Sequence, residues 1–221
     1  MLRGIDVSNW QGAINLAPLS VDFVIVKATE GTGFVDSYCD ATIQQSIKLG
    51  LPWGFYHFGG YSTPTAEADF FIENCSNYFG HGIPVLDWEQ DQSAEWVNEF
   101  VRYVHSKTGV WCWIYANPWR FNQGGVESNC GRWIASYPDV LRPSLNYDPG
   151  DPPATDGLIC CWQFASDGSV EGYDGNLDVN IFYGDSDAWM AYAKATDEPV
   201  KPDVSILEND DYIVEIVKKN K

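Results

Sequence analysis

Short apolar runs recur along the chain and alternate with longer amphipathic segments. Several of these runs are almost continuously hydrophobic, which is typical of strands that are covered on both faces. They predict eight strands: Leu2 to Val7, Phe23 to Ala28, Leu51 to His57, Pro84 to Trp88, Val110 to Tyr115, Arg132 to Ala135, Leu158 to Phe164 and Leu177 to Phe182. This pattern favours a parallel sheet or a barrel.

Helical spacing is confined to four of the longer segments, and three of them are followed by a glycine stop signal. The predicted helices are Ser37 to Leu49, Thr65 to Tyr78, Ala94 to Lys107 and Asp185 to Lys194. Two later connections, Asn117 to Gly131 and Tyr137 to Gly157, are rich in Pro, Gly, Asn and Asp and predict loops. We therefore predict an α/β fold, an irregular (β/α) barrel of TIM type with few helices in its second half.

Composition and charge narrow the possible partners. The net charge of −18 argues against nucleic acid or an anionic membrane, because both require clustered Lys and Arg. No apolar run approaches the ~20 residues that span a bilayer, and the N-terminus has no secretory signal pattern. We expect a soluble protein made in the cytoplasm, with its six cysteines reduced. Ten Trp and twelve Tyr suit stacking against sugar rings, although a core rich in large aromatics is the simpler explanation.

Acidic residues lie at the ends of several predicted strands, where a barrel enzyme carries its chemistry. Asp6 ends the first strand, Glu30 follows the second, Asp87 and Glu89 end the fourth, and Asp178 lies on the last. Residues two apart on a strand project to the same side, so Asp87 and Glu89 are expected to share one site. Repulsion in such a pair favours a proton on one carboxyl, as paired-carboxylate glycosidases require. Any single one of these acids has a structural alternative, as a helix cap or part of a hydrogen-bond network.

Other catalytic classes lack their motifs in this sequence. The three histidines form no metal-binding pair, and Gly-x-Ser-x-Gly is absent. We therefore expect no metal and no cofactor.

An ordered set of motifs resembles the family 25 glycoside hydrolases, which are muramidases of phage endolysins, bacteria and fungi. The resemblance covers about Leu2 to Lys194. The motifs are Gly4-Ile5-Asp6-Val7-Ser8-Asn9-Trp10-Gln11-Gly12, Val24-Ile25-Val26-Lys27-Ala28-Thr29-Glu30-Gly31, Gly54-Phe55-Tyr56-His57-Phe58, Pro84-Val85-Leu86-Asp87-Trp88-Glu89, Trp133-Ile134-Ala135, Trp162-Gln163-Phe164 and Leu177-Asp178-Val179-Asn180.

This resemblance implies a flattened barrel that hydrolyses the β-1,4 bond between N-acetylmuramic acid and N-acetylglucosamine in bacterial peptidoglycan. It implies that Glu89 is the general acid and base, and that Asp87 orients or stabilises the 2-acetamido group of the sugar. Asp6 and Asp178 would line the same pocket. Further sugar contacts are expected at Glu30, Tyr56, Tyr115 and Trp133.

Two strand steps of ~3.3 Å separate Asp87 and Glu89 by nearly 7 Å, whereas direct carboxylate attack suits about 5 to 5.5 Å. The spacing favours a retaining reaction assisted by the acetamide. Two alternatives stay open: a catalytically silent peptidoglycan-binding barrel, and, with less support, a metal-dependent polysaccharide deacetylase.

Near Thr196 the composition changes to a polar linker, which is followed by a weak amphipathic stretch, Ile206 to Val217. Residues 1–195 are expected to form the catalytic domain. Residues 196–221 would be a linker or the start of a truncated C-terminal cell-wall-binding region. Because no signal pattern is present and many members of the family are phage endolysins, the sequence suggests a phage endolysin. Such a protein is expected to stay in the cytoplasm of the producing cell until it is released to the wall. Oligomeric state is not readable from the sequence.

Overall fold

A computed structural model describes residues 1–195, in which strands and helices alternate along the first half. The strands are β1 (Leu2–Val7), β2 (Phe23–Glu30), β3 (Phe34–Val35), β4 (Trp53–Phe58), β5 (Ile83–Asp87), β6 (Trp113–Ala116), β7 (Arg132–Ala135), β8 (Ile159–Gly168) and β9 (Leu177–Phe182). The helices are α1 (Cys39–Leu49), α2 (Pro64–Cys75), α3 (Ala94–Thr108), α4 (Pro118–Phe121) and α5 (Ser186–Ala193), with a 3₁₀ turn at Asn9–Gln11.

The predicted elements are confirmed, with three short additions, one of which is the 3₁₀ turn at Asn9–Gln11. The sequence missed β3, a two-residue strand that pairs with the end of β2, and α4, a single helical turn inside the predicted loop Asn117 to Gly131. Asn117 caps α4 and Pro118 opens it, which is the usual chemistry of a helix start. The predicted linker and amphipathic stretch of residues 196–221 lie outside the described residues.

Eight of the strands close into a barrel, because β1 pairs with both β2 and β9. The other neighbours, from β2 through β4 to β8, pair in parallel. The last strand departs from the TIM pattern, since β9 runs antiparallel to both β8 and β1. Its connection from β8, residues 169–176, contains no helix and is too short for the crossover that parallel strands need.

The core has two layers. The larger lies between the strands and α1 to α3 and includes Val26, Phe55, Leu86 and Phe100. The smaller fills the barrel and extends to α5, where the Trp189 ring lies 4.7 Å from Phe23 and 5.1 Å from Phe182, centroid to centroid. Helix α5 therefore packs against the side chains that fill the barrel.

Two further features bear on the chemistry. All six cysteines are free and buried. Among residues 1–195, no helix combines the length and the apolar character that a membrane crossing requires.

Candidate active site

The inward faces of the parallel strands β2 and β5 change from apolar to polar toward their carboxyl ends. On β2, the buried Phe23 and Ile25 precede Lys27 at steps of two, and on β5 Ile83 and Val85 precede Asp87. Because alternate residues of a strand share one face, a single face carries both the apolar filling and the polar groups. The polar groups therefore gather at the carboxyl ends of the parallel strands.

Asp6 is the most fully hydrogen-bonded of the predicted site residues. Its Oδ2 accepts from Asn180 Nδ2 at 2.7 Å and from Gln163 Nε2 at 2.9 Å. Burial raises the pKa of Asp6 to about 6 despite these two donors, and the negative charge of Glu89 adds to the increase. The side chain is 7% exposed, so it forms the floor of the site.

A second set of hydrogen bonds fixes the two amides that hold Asp6. Gln163 Oε1 accepts from the hydroxyls of Tyr115 at 2.8 Å and Tyr137 at 2.6 Å. The Oδ1 atom of Asn180 accepts from Trp133 Nε1 at 2.8 Å. With their oxygens occupied, both amides can only present their NH₂ groups to Asp6.

Asp87 ends β5 and is buried beside this network. Burial raises its pKa well above the usual value, and the charges of Glu89 and Asp6 raise it further. Its Oδ1 is buried and has no hydrogen-bond partner among residues 1–195. An unpaired buried carboxylate oxygen is costly, so this atom is a ready acceptor for a donor that a ligand brings.

Glu89 differs from the expectation of a strand residue. The strand ends at Asp87, and Glu89 lies two residues beyond it with an exposed side chain. The chain follows β6 only one residue further, where Trp88 N donates to Tyr115 O at 2.8 Å. The regular strand geometry behind the predicted 7 Å spacing therefore does not extend to Glu89. Its charge nevertheless raises the pKa of Asp6, Asp87 and Asp178, which places Glu89 in their cluster.

Asp178 joins the cluster because β9 is reversed. As the second residue of β9 it lies directly opposite Asp6 on β1. Its pKa is raised to about 8, mainly because the side chain is buried and further because the negative charges of Asp6 and Glu89 disfavour its ionisation. Reversal of β9 thus brings a residue from the start of a strand to the end of the barrel where the other acids lie.

The predicted sugar contacts divide into two groups. Tyr56 is half-buried, and burial raises the pKa of its hydroxyl. The negative charge of Asp87 raises this pKa further, so the hydroxyl lies toward the acids. Glu30 lies at the rim, where Lys27 Nζ is 2.6 Å from its Oε2. Tyr115 and Trp133 are 6% and 2% exposed and pack edge to face. Burial disfavours direct sugar contact by these two rings, whose polar atoms instead orient Gln163 and Asn180.

Sequence reasoning assigned no role to Gln163, Asn180, Lys27 or Tyr137. Gln163 and Asn180 stand within quoted motifs, and the step of two from Cys161 and Phe182 would have placed both on the inward face. Tyr137 is 51% exposed, although its hydroxyl reaches Gln163. Other exposed aromatic rings follow the carboxyl ends of β1, β4 and β6, namely Trp10, Tyr61 and Trp119.

The histidine nearest the site is part of the structure below it. His57 is fully buried, with Nδ1 2.8 Å from Thr29 Oγ1 and Nε2 3.1 Å from Glu67 Oε2. Within residues 1–195, no three His, Cys, Asp or Glu side chains are grouped so that they could hold a metal ion.

A closed barrel that gathers carboxyl groups of differing exposure at the carboxyl ends of its strands has the architecture of a glycoside hydrolase. The sequence model of the glycosyl hydrolases family 25 matches residues 5–173. The chain therefore belongs to glycosyl hydrolase family 25, as its motifs predicted.

Relatives and solved structures agree with this membership. Lysozyme M1 of Streptomyces globisporus is 30% identical, over 88% of this chain and 72% of its own length. An N,O-diacetylmuramidase of Chalaropsis sp is 29% identical, over 80% and 96% of the two chains. The crystal structure of a bacterial lysozyme from Streptomyces coelicolor has a TM-score of 0.73 and 27% identity, and the match covers 87% of this chain and 96% of that one. The chain is accordingly a glycosidase of the muramidase class, a peptidoglycan hydrolase, and its irregular barrel is that of its structural neighbours.

Proposed function

We propose that the protein cleaves the β-1,4 bond between N-acetylmuramic acid and N-acetylglucosamine, with retention and with assistance from the 2-acetamido group of the substrate. The observation that carries this proposal is the buried Oδ1 of Asp87, which has no hydrogen-bond partner within the described part of the chain and lies close in sequence to the exposed Glu89. An acetamido N–H is the donor that would satisfy this oxygen.

In the first step, Glu89 donates its proton to the glycosidic oxygen as that bond breaks. The acetamide carbonyl oxygen attacks the anomeric carbon and forms a cyclic oxazolinium ion, while Asp87 Oδ1 accepts the hydrogen bond of its N–H. In the second step, Glu89 takes a proton from water, and the water oxygen attacks the anomeric carbon. The bond from that carbon to the acetamide oxygen breaks, which regenerates the 2-acetamido group. Two displacements on one carbon retain its configuration.

Asp6 stabilises the positive charge that develops on the sugar ring, and Asp178, which is mostly protonated at pH 7, lines the same pocket. Their raised pKa values, about 6 and about 8, keep the cluster from carrying its full negative charge at neutral pH. Tyr56 and Glu30 are proposed to contact the sugar. Tyr115 and Trp133 act through Gln163 and Asn180, which they orient.

The decisive experiment digests purified peptidoglycan, reduces the products with borohydride and identifies the new ends by mass spectrometry. Reduced muramic acid supports the proposal, and reduced glucosamine would contradict the proposed bond. Proton NMR of the first products then reads the anomeric configuration. An inverted first product, or an Asp87→Asn variant with full activity, would remove the acetamide mechanism and leave the muramidase assignment intact.

The alternative of a silent peptidoglycan-binding barrel makes a different prediction for the same digest. Such a protein would sediment with purified walls and release no reducing ends. The retained cluster of Asp6, Asp87, Glu89 and Asp178 favours turnover over binding alone.

We also propose that residues 1–195 form the catalytic domain, that residues 196–221 are a linker or the start of a wall-binding region, and that the protein is an endolysin. Six buried free thiols support folding in a reducing compartment. If this is correct, cells that produce the protein will stay intact until their membrane is permeabilised, and will lyse afterwards. Lysis without permeabilisation would contradict the cytoplasmic location.

A further inference from the structure

The acidic site has one arginine at its rim whose charge is not neutralised. Lys27, the other cation close to the acids, forms an ion pair with Glu30 and lies about 5 Å from the ring centroids of Phe34 and Phe58. Arg120, on α4, has no carboxylate within ion-pair distance among residues 1–195.

Local contacts hold Arg120 beside the general acid. Its Nη2 donates to the backbone oxygen of Glu89 at 2.9 Å, and its guanidinium carbon lies 5.0 Å from the centroid of the Trp88 ring. Asn117 and Pro118 fix the start of α4 immediately after β6. The guanidinium is thus anchored by one N–H and one stacking contact.

The anchoring leaves most of the guanidinium donors available. Arginine has five N–H groups in a rigid fork that matches a carboxylate, and one of them is used here. The side chain is half-buried, so solvent weakens a new ion pair less than it would at an open surface. Trp119, the next residue along α4, is 67% exposed and offers an apolar face at the same place.

We infer that Arg120 binds a carboxylate of the substrate and so determines specificity for the muramyl side of the cleaved bond. This inference rests on the proposed function. Muramic acid carries a lactyl group, whose carboxylate is free in a stripped glycan and is amide-linked where a peptide stem is attached. The stem brings carboxylates of its own. N-acetylglucosamine has no carboxylate, so an arginine that binds a carboxylate distinguishes the two sugars.

The test compares Arg120→Gln with wild type on two anionic substrates and one neutral ligand. The substrates are glycan strands that carry peptide stems, and the same strands after an amidase has removed the stems and exposed the lactyl carboxylates. Chitotetraose, used as a competitive inhibitor, is the neutral ligand. We expect kcat/KM to fall about 10- to 100-fold on one or both anionic substrates. The inhibition constant of chitotetraose should change less than twofold.

The pattern of losses identifies the source of the carboxylate. A loss confined to stem-bearing strands assigns a stem carboxylate, and a loss confined to stripped strands assigns the lactyl group. Arg120→Lys, which keeps the charge, should recover part of the loss. If Arg120 only supported the Glu89 loop, Arg120→Gln would slow both substrates equally, weaken chitotetraose binding and gain nothing from lysine. That outcome, or no loss at all, would overturn the inference.

A matched control comes from Arg142, which is exposed and donates from Nη2 to the backbone oxygen of Gly175 at 3.0 Å. Arg142→Gln makes the same change in net charge and breaks the same kind of hydrogen bond, so it should leave both substrates within twofold of wild type. If Arg142→Gln lost as much activity as Arg120→Gln, with the same substrate preference, the loss would be due to the change in net charge. That result would overturn the assignment of Arg120. Failure of the wild-type protein to produce reduced muramic acid would instead refute the proposed function.

Discussion

Gln163 can present only the NH₂ group of its side-chain amide to Asp6. The Nε2 atom donates to Asp6 Oδ2 at 2.9 Å, while two tyrosine hydroxyls, those of Tyr115 and Tyr137, occupy Oε1. Rotation of the amide would set an oxygen against the carboxylate and an NH₂ group against two donors. Asp6 therefore accepts from a donor whose orientation is fixed by Tyr115 on β6 and by Tyr137 in the loop after β7.

The Gln163→Glu variant tests this arrangement. It replaces the donor with a second acid, and the added negative charge should raise the pKa of Asp6 further above 6. We expect kcat/KM at pH 7 to fall at least about tenfold, and the pH profile of kcat/KM to move to higher pH because the cluster ionises less readily. Gln44→Glu, an equal charge change on the exposed side of α1, is the control. A profile at the wild-type position in Gln163→Glu would show that Gln163 does not govern the cluster.

The Glu89→Gln variant tests the general acid. It keeps the shape of the side chain and removes the transferable proton, so kcat should fall by about 10² to 10⁴ while the far-UV spectrum and the melting temperature are retained. Glu99→Gln, at an exposed position on α3, should behave as wild type. If the folded Glu89→Gln protein keeps more than a tenth of the wild-type rate, Glu89 is not the acid.

The stability of the fold should respond to Asp178 in a pH-dependent way. Its pKa is raised from 3.8 to about 8, so the folded state holds this proton more tightly than the unfolded chain does. The resulting loss of stability is absent below pH 4, grows as pH rises toward 8 and is complete above that value. Asp178→Asn removes this loss. Its melting temperature should match wild type at pH 4 and exceed it by a few degrees at pH 8, since ~1 kcal/mol corresponds to about 2 to 4 °C at this size. If the difference in melting temperature between Asp178→Asn and wild type were the same at pH 4 and pH 8, ionisation of Asp178 would not destabilise the fold.

Salt should accelerate attack on intact walls. The net charge of −18 repels walls that carry anionic polymers, and the Debye length falls from about 30 Å at 0.01 M to about 8 Å at 0.15 M salt. We expect turbidity of whole walls to clear faster over that range, while cleavage of a short uncharged glycan changes little. Equal salt responses of the two substrates would exclude long-range repulsion as the limiting step.

The sequence predicted most of the barrel because its strands are buried on both faces and therefore read as apolar runs. It did not predict the direction of β9, since β9 has the same composition as a parallel strand and differs only in the short connection before it. The two-residue β3 and the single turn of α4 are too short for any period to develop. Pro118 and Asn117 were the available signal for α4, and they fit a loop equally well.

The strand ends of the sequence predicted where Asp6 and Asp87 lie in the fold, but they did not predict the side chains that hold these acids. The pKa influences of Glu89 on Asp6 and Asp178 place the predicted acids in one cluster, although Glu89 lies beyond its strand. Large aromatic residues were harder to assign. Trp133 and Tyr137 both have large aromatic side chains, but Trp133 is 2% exposed and Tyr137 is 51% exposed. Only the packing of the folded barrel determines which of the two rings is buried.

Closure of the barrel also sets an order of events during synthesis. Asp6 on β1 leaves the ribosome well before its strand partner Asp178 and the donor Asn180, which both lie on β9. Until β9 has emerged, β1 lacks one of its two neighbours and the acidic cluster lacks a member. A nascent chain or a fragment that ends before β9 should therefore be inactive toward the wall of the cell that makes it.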